Sequence, residues 1–264
     1  MNIIDAHAHI FPDKIALKAS HGISDFYDLE VRYDGKVSTL LNISEPFGVT
    51  RFVVHSVATT PAQVKSINDF IEKTVNSMPQ KFFGFASLHP DCDDIYDIVS
   101  QRIKAGMHGI KLHPDFQEFE ADSKAAMSMY EQIDARLPVL IHAGDFRKPY
   151  SKPARILNAA KAFPKQLFIA AHMGGWSEWE DAVKLADCPN VYVDTCSTQG
   201  FVTPERMREL IDAFTPDRVF FGTDYPMWNP ERELEALRRI LSPAEQEKIF
   251  ALNFEKAVLH GSAT

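Results

Sequence analysis

The sequence predicts a closed (β/α)8 barrel of the TIM type, built as a single domain over residues 1–264. Three observations predict it. Eight short apolar, β-branched runs alternate with stretches of helical pattern. Most runs follow the previous one by about 30 residues, the size of one strand–helix unit. A chain of this length is also what one such barrel consumes, roughly 250 residues. An open, doubly wound sheet is the competing architecture, but no glycine-rich phosphate loop follows the first run.

Taken in order, the strands are expected at Ile3–Ile10, Arg51–Val57, Phe82–His89, Gly109–Pro114, Val139–Ala143, Leu167–Met173, Asn190–Thr195 and Val219–Asp224. VLIHA and LFIAAHM read as strands buried on both faces. The first connection, Phe11–Thr50, is unusually long. It is expected to hold a helix near Leu40–Phe47 and an extended segment containing His21, Phe26 and Tyr27. In a barrel it leaves from the C-terminal face, where active sites sit, so it reads as a lid. Thr60-Pro61-Ala62-Gln63 and Ser242-Pro243-Ala244-Glu245 fit capping boxes with proline at the first helical position. Thr203-Pro204 and Asn229-Pro230 repeat the cap-then-proline pattern, and Leu234, Leu237, Ile240 and Leu241 have helical spacing. An additional helix is expected at the C-terminus.

Composition narrows the function. The chain is 45% hydrophobic and 24% charged with a net charge of −8, and it has no long basic run, which argues against nucleic acid or an anionic membrane as partner. Three widely spaced cysteines, Cys92, Cys188 and Cys196, do not make a disulfide framework and suit a reducing compartment. No signal-like start or membrane-length apolar run is present, so a cytoplasmic enzyme of a small molecule is the expectation.

Polar residues collect at the strand ends. His7 and His9 end the first strand, His55 the second, His89 the third, His113 the fourth, His142 the fifth, His172 the sixth, Asp194 the seventh and Asp224 the eighth. In a barrel these ends meet at one mouth, and so many buried imidazoles require partners. Strict alternation would put Asp5, His7 and His9 on the inward face and Ile4, Ala6, Ala8 and Ile10 on the helix-facing side. His7, His9, His142 and Asp224 together supply nitrogens and a carboxylate, a donor set suited to one divalent ion, zinc above others, with a position left for water. Asp224 would then serve as both ligand and proton acceptor. Asp5 is placed either to orient a ligand imidazole or to act as a buffer in the barrel core, and Cys196 reads as a small packed residue. In the loops, Arg147 has the fork to grip a carboxylate. Trp176, Tyr225 and Trp228 offer aromatic walls, and Lys111 and His113 share the fourth strand's inward face.

The segments IIDAHAHIFP, GIKLHPDFQEF, VLIHAGD, IAAHMGGW and FGTDYPMW resemble the amidohydrolase superfamily, in particular its amidohydrolase 2 branch, which includes aminocarboxymuconate-semialdehyde decarboxylase. The resemblance covers nearly the whole chain. It implies metal ligation by His7, His9, His142 and Asp224 and a catalytic or water-positioning role for His172. Two-metal relatives carry a carboxylated lysine on the fourth strand, and Lys111 stands there. As an unmodified lysine it would pair with an aspartate or a substrate carboxylate and leave a single ion. The implied activity is hydrolysis of an amide, lactone or ester of a small carboxylated substrate. Non-oxidative decarboxylation is the alternative, and a non-catalytic metal-binding or ligand-sensing barrel a further one. Relatives are commonly dimers, so a homodimer fits the pattern.

Overall fold

A computed structural model describes residues 2–260. Eight parallel strands lie side by side in chain order: β1 Ile3–His9, β2 Val49–His55, β3 Phe82–Ser87, β4 Gly109–Leu112, β5 Val139–Ile141, β6 Phe168–Ala170, β7 Val191–Asp194 and β8 Val219–Phe220. Backbone bonds join the last to the first. Ala6 N–H donates to the Phe221 carbonyl at 2.8 Å, Asp224 N–H to that of His7 at 2.9 Å and His9 N–H to that of Tyr225 at 2.7 Å. The sheet is thus a barrel with all strand carboxyl ends on one face, as the sequence predicts.

The helices are α1 Asp13–Tyr27, α2 Val37–Ser44, α3 Val64–Ser77, α4 Ile95–Lys104, α5 Pro114–Gln117, α6 Lys124–Ile133, α7 Pro153–Ala162, α8 Trp179–Ala182, α9 Pro204–Phe214, α10 Pro230–Ile240 and α11 Pro243–Glu247. After α11, wider π-type turns at Lys248–Leu252 and Glu255–Leu259 carry the expected C-terminal helix onward. Ala251, Phe254 and Val258 of this segment pack with Ile4, Val53, Phe83, Phe85, Leu140, Ile169 and Phe220. They plug the bottom of the barrel with apolar side chains, so polar groups can occupy the interior only at the top.

The cap signals mostly act as expected. Ser242 and Glu245 form a reciprocal capping box, and Thr203 and Asn229 each accept a backbone N–H from three residues ahead. Thr60 does not cap. The chain enters α3 through a 3₁₀ turn at Pro61–Gln63, and the Gln63 side chain reaches back to Thr59 N at 2.8 Å, one residue upstream of the expected box.

Two expectations are corrected. Strand β1 is not regular: its pairing with β2 slips between Asp5 and Ala8. This bulge changes the phase of the alternation. Ile4 and Ala6 therefore face the barrel interior, whereas Ala8 and Ile10 pack outward on the layer that includes Leu40 and Leu88. The segment with His21, Phe26 and Tyr27 is not extended but helical, forming the second half of α1. Its helical face is marked by Ala16, Ser20 and Ile23, the buried residues of α1, a short, weakly apolar stripe at 3–4 residue spacing that the polar neighbours obscure.

Candidate metal centre

The strand ends bring most of the expected residues to one cavity. It is lined by His7, His9, Tyr27, His113, His142, His172, Trp176 and Asp224, with Ile23, Leu29, Phe116 and Met227 completing an apolar wall. His89 is not among them; it sits on the loop after β3 and accepts a backbone bond from Asp91.

The tightest grouping joins the first and last strands. Asp224 Oδ1 lies 3.5 Å from His7 Nε2 and 3.4 Å from His9 Nε2. Around a tetrahedral ion with bonds of about 2.1 Å, ligand atoms are about 3.4 Å apart, so the carboxylate oxygen stands from each imidazole nitrogen at the distance of two ligands of one shell. Close approach of β8 permits it: a Cβ on Gly222 would come within 3.1 Å of the His7 Cβ and 3.3 Å of that of Cys196. Asp194 Oδ2 accepts from His7 Nδ1 at 2.8 Å. A carboxylate only accepts, so the proton is on Nδ1 and Nε2 carries the lone pair, the usual tautomer of a ligating histidine. The expected orienting role of Asp5 thus falls to Asp194. Asp5 instead holds Thr223 through its backbone N–H at 3.0 Å and its hydroxyl, fixing the β8 end that carries Asp224.

Lys111 is fully buried, with Nζ 2.9 Å from His7 Nε2. Burial depresses its pKa to about 8, against the pull of Asp224 and Asp194. It therefore competes with a cation for the same lone pair, but it is easily neutralised and has a flexible stem that lets it step aside. The three nitrogen and carboxylate donors, one correctly tautomerised by Asp194, fit a divalent metal ion.

His142 and His172 form a second, linked group. His142 Nε2 is 2.9 Å from the Gly144 carbonyl, which can only accept, so this nitrogen carries the proton and Nδ1 accepts from His172 Nε2 at 2.9 Å. Both His142 nitrogens are engaged here; ligation by His142 would require its ring to turn. His172 lies between the two groups, with ring centroids 5.4 Å from His7 and 4.7 Å from His142. Burial lowers the His172 pKa to about 4, so the ring is neutral at pH 7. Burial would raise the Asp224 pKa, but His7, His9 and His172 facing it outweigh that and hold it well below the ordinary carboxylate range. Both His172 (φ 61°) and Asp224 (φ 55°) sit in the left-handed backbone region, strain of the kind that collects at functional sites.

Other expected residues fall in varied places. Trp176 lines the cavity, and its backbone reaches Ala143 at 2.7 Å because Gly144, at φ 78°, leaves room where a Cβ would strike the Trp176 backbone. His113 also lines it, its ring stacked between those of His142 at 3.9 Å and Phe116 at 3.7 Å. Arg147 points its fork at Asp145, with bonds of 2.9 and 2.8 Å, and its guanidinium lies near the rings of Phe26, Tyr27 and Trp176. Tyr225 bonds the Lys36 carbonyl outside the cavity, and Trp228 donates to Ser197, which in turn bonds Asp224 Oδ2.

Three further residues touch this group: the sequence places Tyr27 only within the first connection, reads Cys196 as packing and does not mark Ser197. Tyr27, the last residue of α1, places its hydroxyl 2.9 Å from His113 Nε2 and 3.4 Å from His142 Nε2. Ser197 anchors Asp224. The Cys196 thiol is fully buried, as a packed residue would be, and also lies 3.2 Å from His7 Nδ1 and 3.1 Å from His172 Nδ1. The DTCS run after β7 was the one available signal, since residues just past a barrel strand face the mouth.

The architecture recurs among solved structures. An uncharacterised TIM-barrel protein from Bordetella bronchiseptica superposes with a TM-score of 0.79 at 17% identity over 100% of both chains. A probable 2-pyrone-4,6-dicarboxylic acid hydrolase from Acinetobacter baumannii, with citric acid bound, gives 0.71 at 14% identity over 97% of this chain and 98% of that one. A dihydroxybenzoic acid decarboxylase from Polaromonas sp. JS666, with bound manganese and the inhibitor 2-nitroresorcinol, gives 0.75 at 17% identity over 97% and 96%. At such identities these likenesses establish the fold. No functionally curated protein matches the chain in sequence. The sequence profile of the amidohydrolase family does match, over residues 4–257. With that match spanning the strand-end histidines and the closing aspartate, the chain belongs to the amidohydrolase family, in its amidohydrolase 2 branch.

Proposed function

We propose that the protein is a zinc-dependent hydrolase that cleaves an ester, lactone or amide bond of a small substrate. The observation that carries the reading is Asp224: ionised, anchored through Oδ2 by Ser197, and presenting Oδ1 to Nε2 of both His7 and His9. His7, His9 and Asp224 would hold a divalent ion there, which when bound would supply Lewis acidity and lower the pKa of a nearby water to about 7. Asp224 takes the proton as the water oxygen bonds to the substrate carbonyl carbon, then returns it to the leaving oxygen or nitrogen as that bond breaks. His172, with its proton on Nε2, holds the developing oxyanion once it turns from His142.

Tyr27 supplies a further donor. Phe116 N–H donates to His113 Nδ1 at 3.2 Å, so His113 Nε2 carries its proton toward the Tyr27 oxygen. His142 Nε2 is also protonated. The Tyr27 hydroxyl proton therefore has no acceptor on either ring and is left for a group in the cavity. Tyr27→Phe is expected to lower kcat by about 10²-fold, the cost of one oxyanion donor, with metal content unchanged; a full rate in steady-state assays removes Tyr27 from the chemistry.

The cavity beneath Tyr27 has a volume of about 20 Å³, room for on the order of one water. On this reading α1, which carries Ile23 and Tyr27 of the wall, would move to admit a substrate, the lid role expected of the first connection. The walls are mainly apolar, and the Arg147 fork is already filled by Asp145. The site as folded therefore favours an uncharged carbonyl compound; a carboxylated one would have to displace Asp145.

Decarboxylation is the second reading. Phe116, His113 and His142 stack face to face, and an end ring of that stack could take an aromatic ring on its outer face. A panel of small esters, lactones, amides and arene carboxylic acids separates the two. The expected result is stoichiometric acid release from an ester or lactone without gas. Carbon dioxide as the sole product would establish the decarboxylase. No turnover by metal-loaded protein would favour a ligand-sensing barrel.

A further inference from the structure

The reaction cavity, at about 20 Å³, is too small for any substrate. Beside it lies a groove of about 420 Å³, a volume in the range of small-molecule sites. Its lining comes from the end of β1 and from the connections after β1, β2 and β4. His9, Ile23 and Phe116 stand in the walls of both spaces, so the groove abuts an imidazole of the candidate metal centre. A crevice of about 380 Å³ between α3 and α4 is comparable in size. It shares no residue with the reaction cavity, and polar side chains such as Lys65, Asp91 and Arg102 make up much of its wall.

The groove beside the site is mainly apolar. Phe11, Ala19, Phe26, Val57 and Phe116 line it, and each is partly exposed. Phe26 meets Phe116 edge-on at 4.6 Å. Partly exposed apolar side chains gathered around one hollow are the surface that a ligand covers. The acidic groups in the lining are Asp115 and Glu118, and among the described residues no lysine or arginine joins them. Lys148, 5.3 Å from the Phe26 ring, lies outside that lining.

We propose that this groove holds the non-reacting part of the substrate, an uncharged alkyl or aryl arm, while the carbonyl reaches past His9 into the reaction cavity. This rests on the hydrolase reading for the bond that breaks, and narrows it to substrates with an apolar arm. The movement of α1 that admits a substrate would carry Ile23 out of the shared wall and join the two spaces. A carboxylate on the arm would meet Asp115 and Glu118 and be rejected.

Three methyl esters test the assignment on zinc-loaded, full-length protein: methyl acetate, methyl hexanoate and monomethyl adipate. The last two have the same chain length and differ by a terminal carboxylate. kcat/KM for methyl hexanoate should exceed that for each of the others at least tenfold, because every methylene taken from water adds to binding. Gly22→Leu and Ala19→Leu add bulk to the lining. A Cβ on Gly22 would meet no atom within 4 Å, and leucine suits a helix. Each variant should lower the hexanoate-to-acetate ratio at least tenfold. A ratio within twofold of the unaltered chain in both variants overturns the proposal, as does turnover of either other ester equal to that of the hexanoate. Heptan-2-one, a ketone with no bond to hydrolyse, gives a reading without turnover. Ligand-observed NMR should show its affinity falling at least fivefold in either variant, and no fall overturns the groove. If no ester is cleaved but that affinity falls, the groove stands and the hydrolase reading fails.

Discussion

Asp224→Asn is expected to lower kcat by about 10³–10⁴-fold, at the upper end of what a positioned base contributes, and to reduce bound metal with it. The carboxylate does two things at once. Oδ1 lies within 3.5 Å of both first-strand imidazoles, so in the proposed reading it would close the cation's donor set and be the base nearest that set. Asparagine keeps the shape and the Ser197 contact, but its neutral oxygen neither offsets the ion's charge nor accepts a proton. The left-handed backbone at this position tolerates asparagine, so a loss reports the charge rather than a broken β8. His7→Ala should lose metal and activity together, because it removes a donor and leaves the buried Asp194 Oδ2 without its imidazole partner. Elemental analysis beside kcat checks both; a protein with full metal and more than a tenth of the rate would place the chemistry elsewhere.

His172→Asn is expected to separate the two functions, with metal content within twofold of the unaltered protein and kcat lower by about 10²–10³-fold, the cost of one oxyanion donor. The ring is not among the three nearest donors, but it stands between them and His142, neutral because burial brings its pKa to about 4. Here too the φ of 61° suits asparagine. Equal loss of metal and turnover would make His172 a ligand instead.

How far the sequence reaches can be seen strand by strand. VLIHA and LFIAAHM are legible because buried parallel strands need apolar side chains on both faces, and β5 and β6 fall within them. The histidines and Asp224 are legible at their ends for the converse reason: in a core plugged below by Phe254 and Val258, polar groups have only the upper layer to occupy. α1 was hidden because its buried stripe is so short. The role of Asp5 was misplaced because alternation assumes a regular strand, and the β1 bulge is a pairing fact about Asp5–Ala8 against β2.

By itself, then, the chain determined the barrel, its closing order and the family, since each follows from local apolar runs and short motifs. Only the tertiary structure decided which imidazole faces which. Asp194 rather than Asp5 orients His7, Tyr27 enters from a helix more than 80 residues away from His113 in the chain, Arg147 is already paired, and His55 stands beside His7 and His9 without a bond of its own. These are contacts between residues remote in sequence, set by strand register and ring orientation, and no local pattern encodes them.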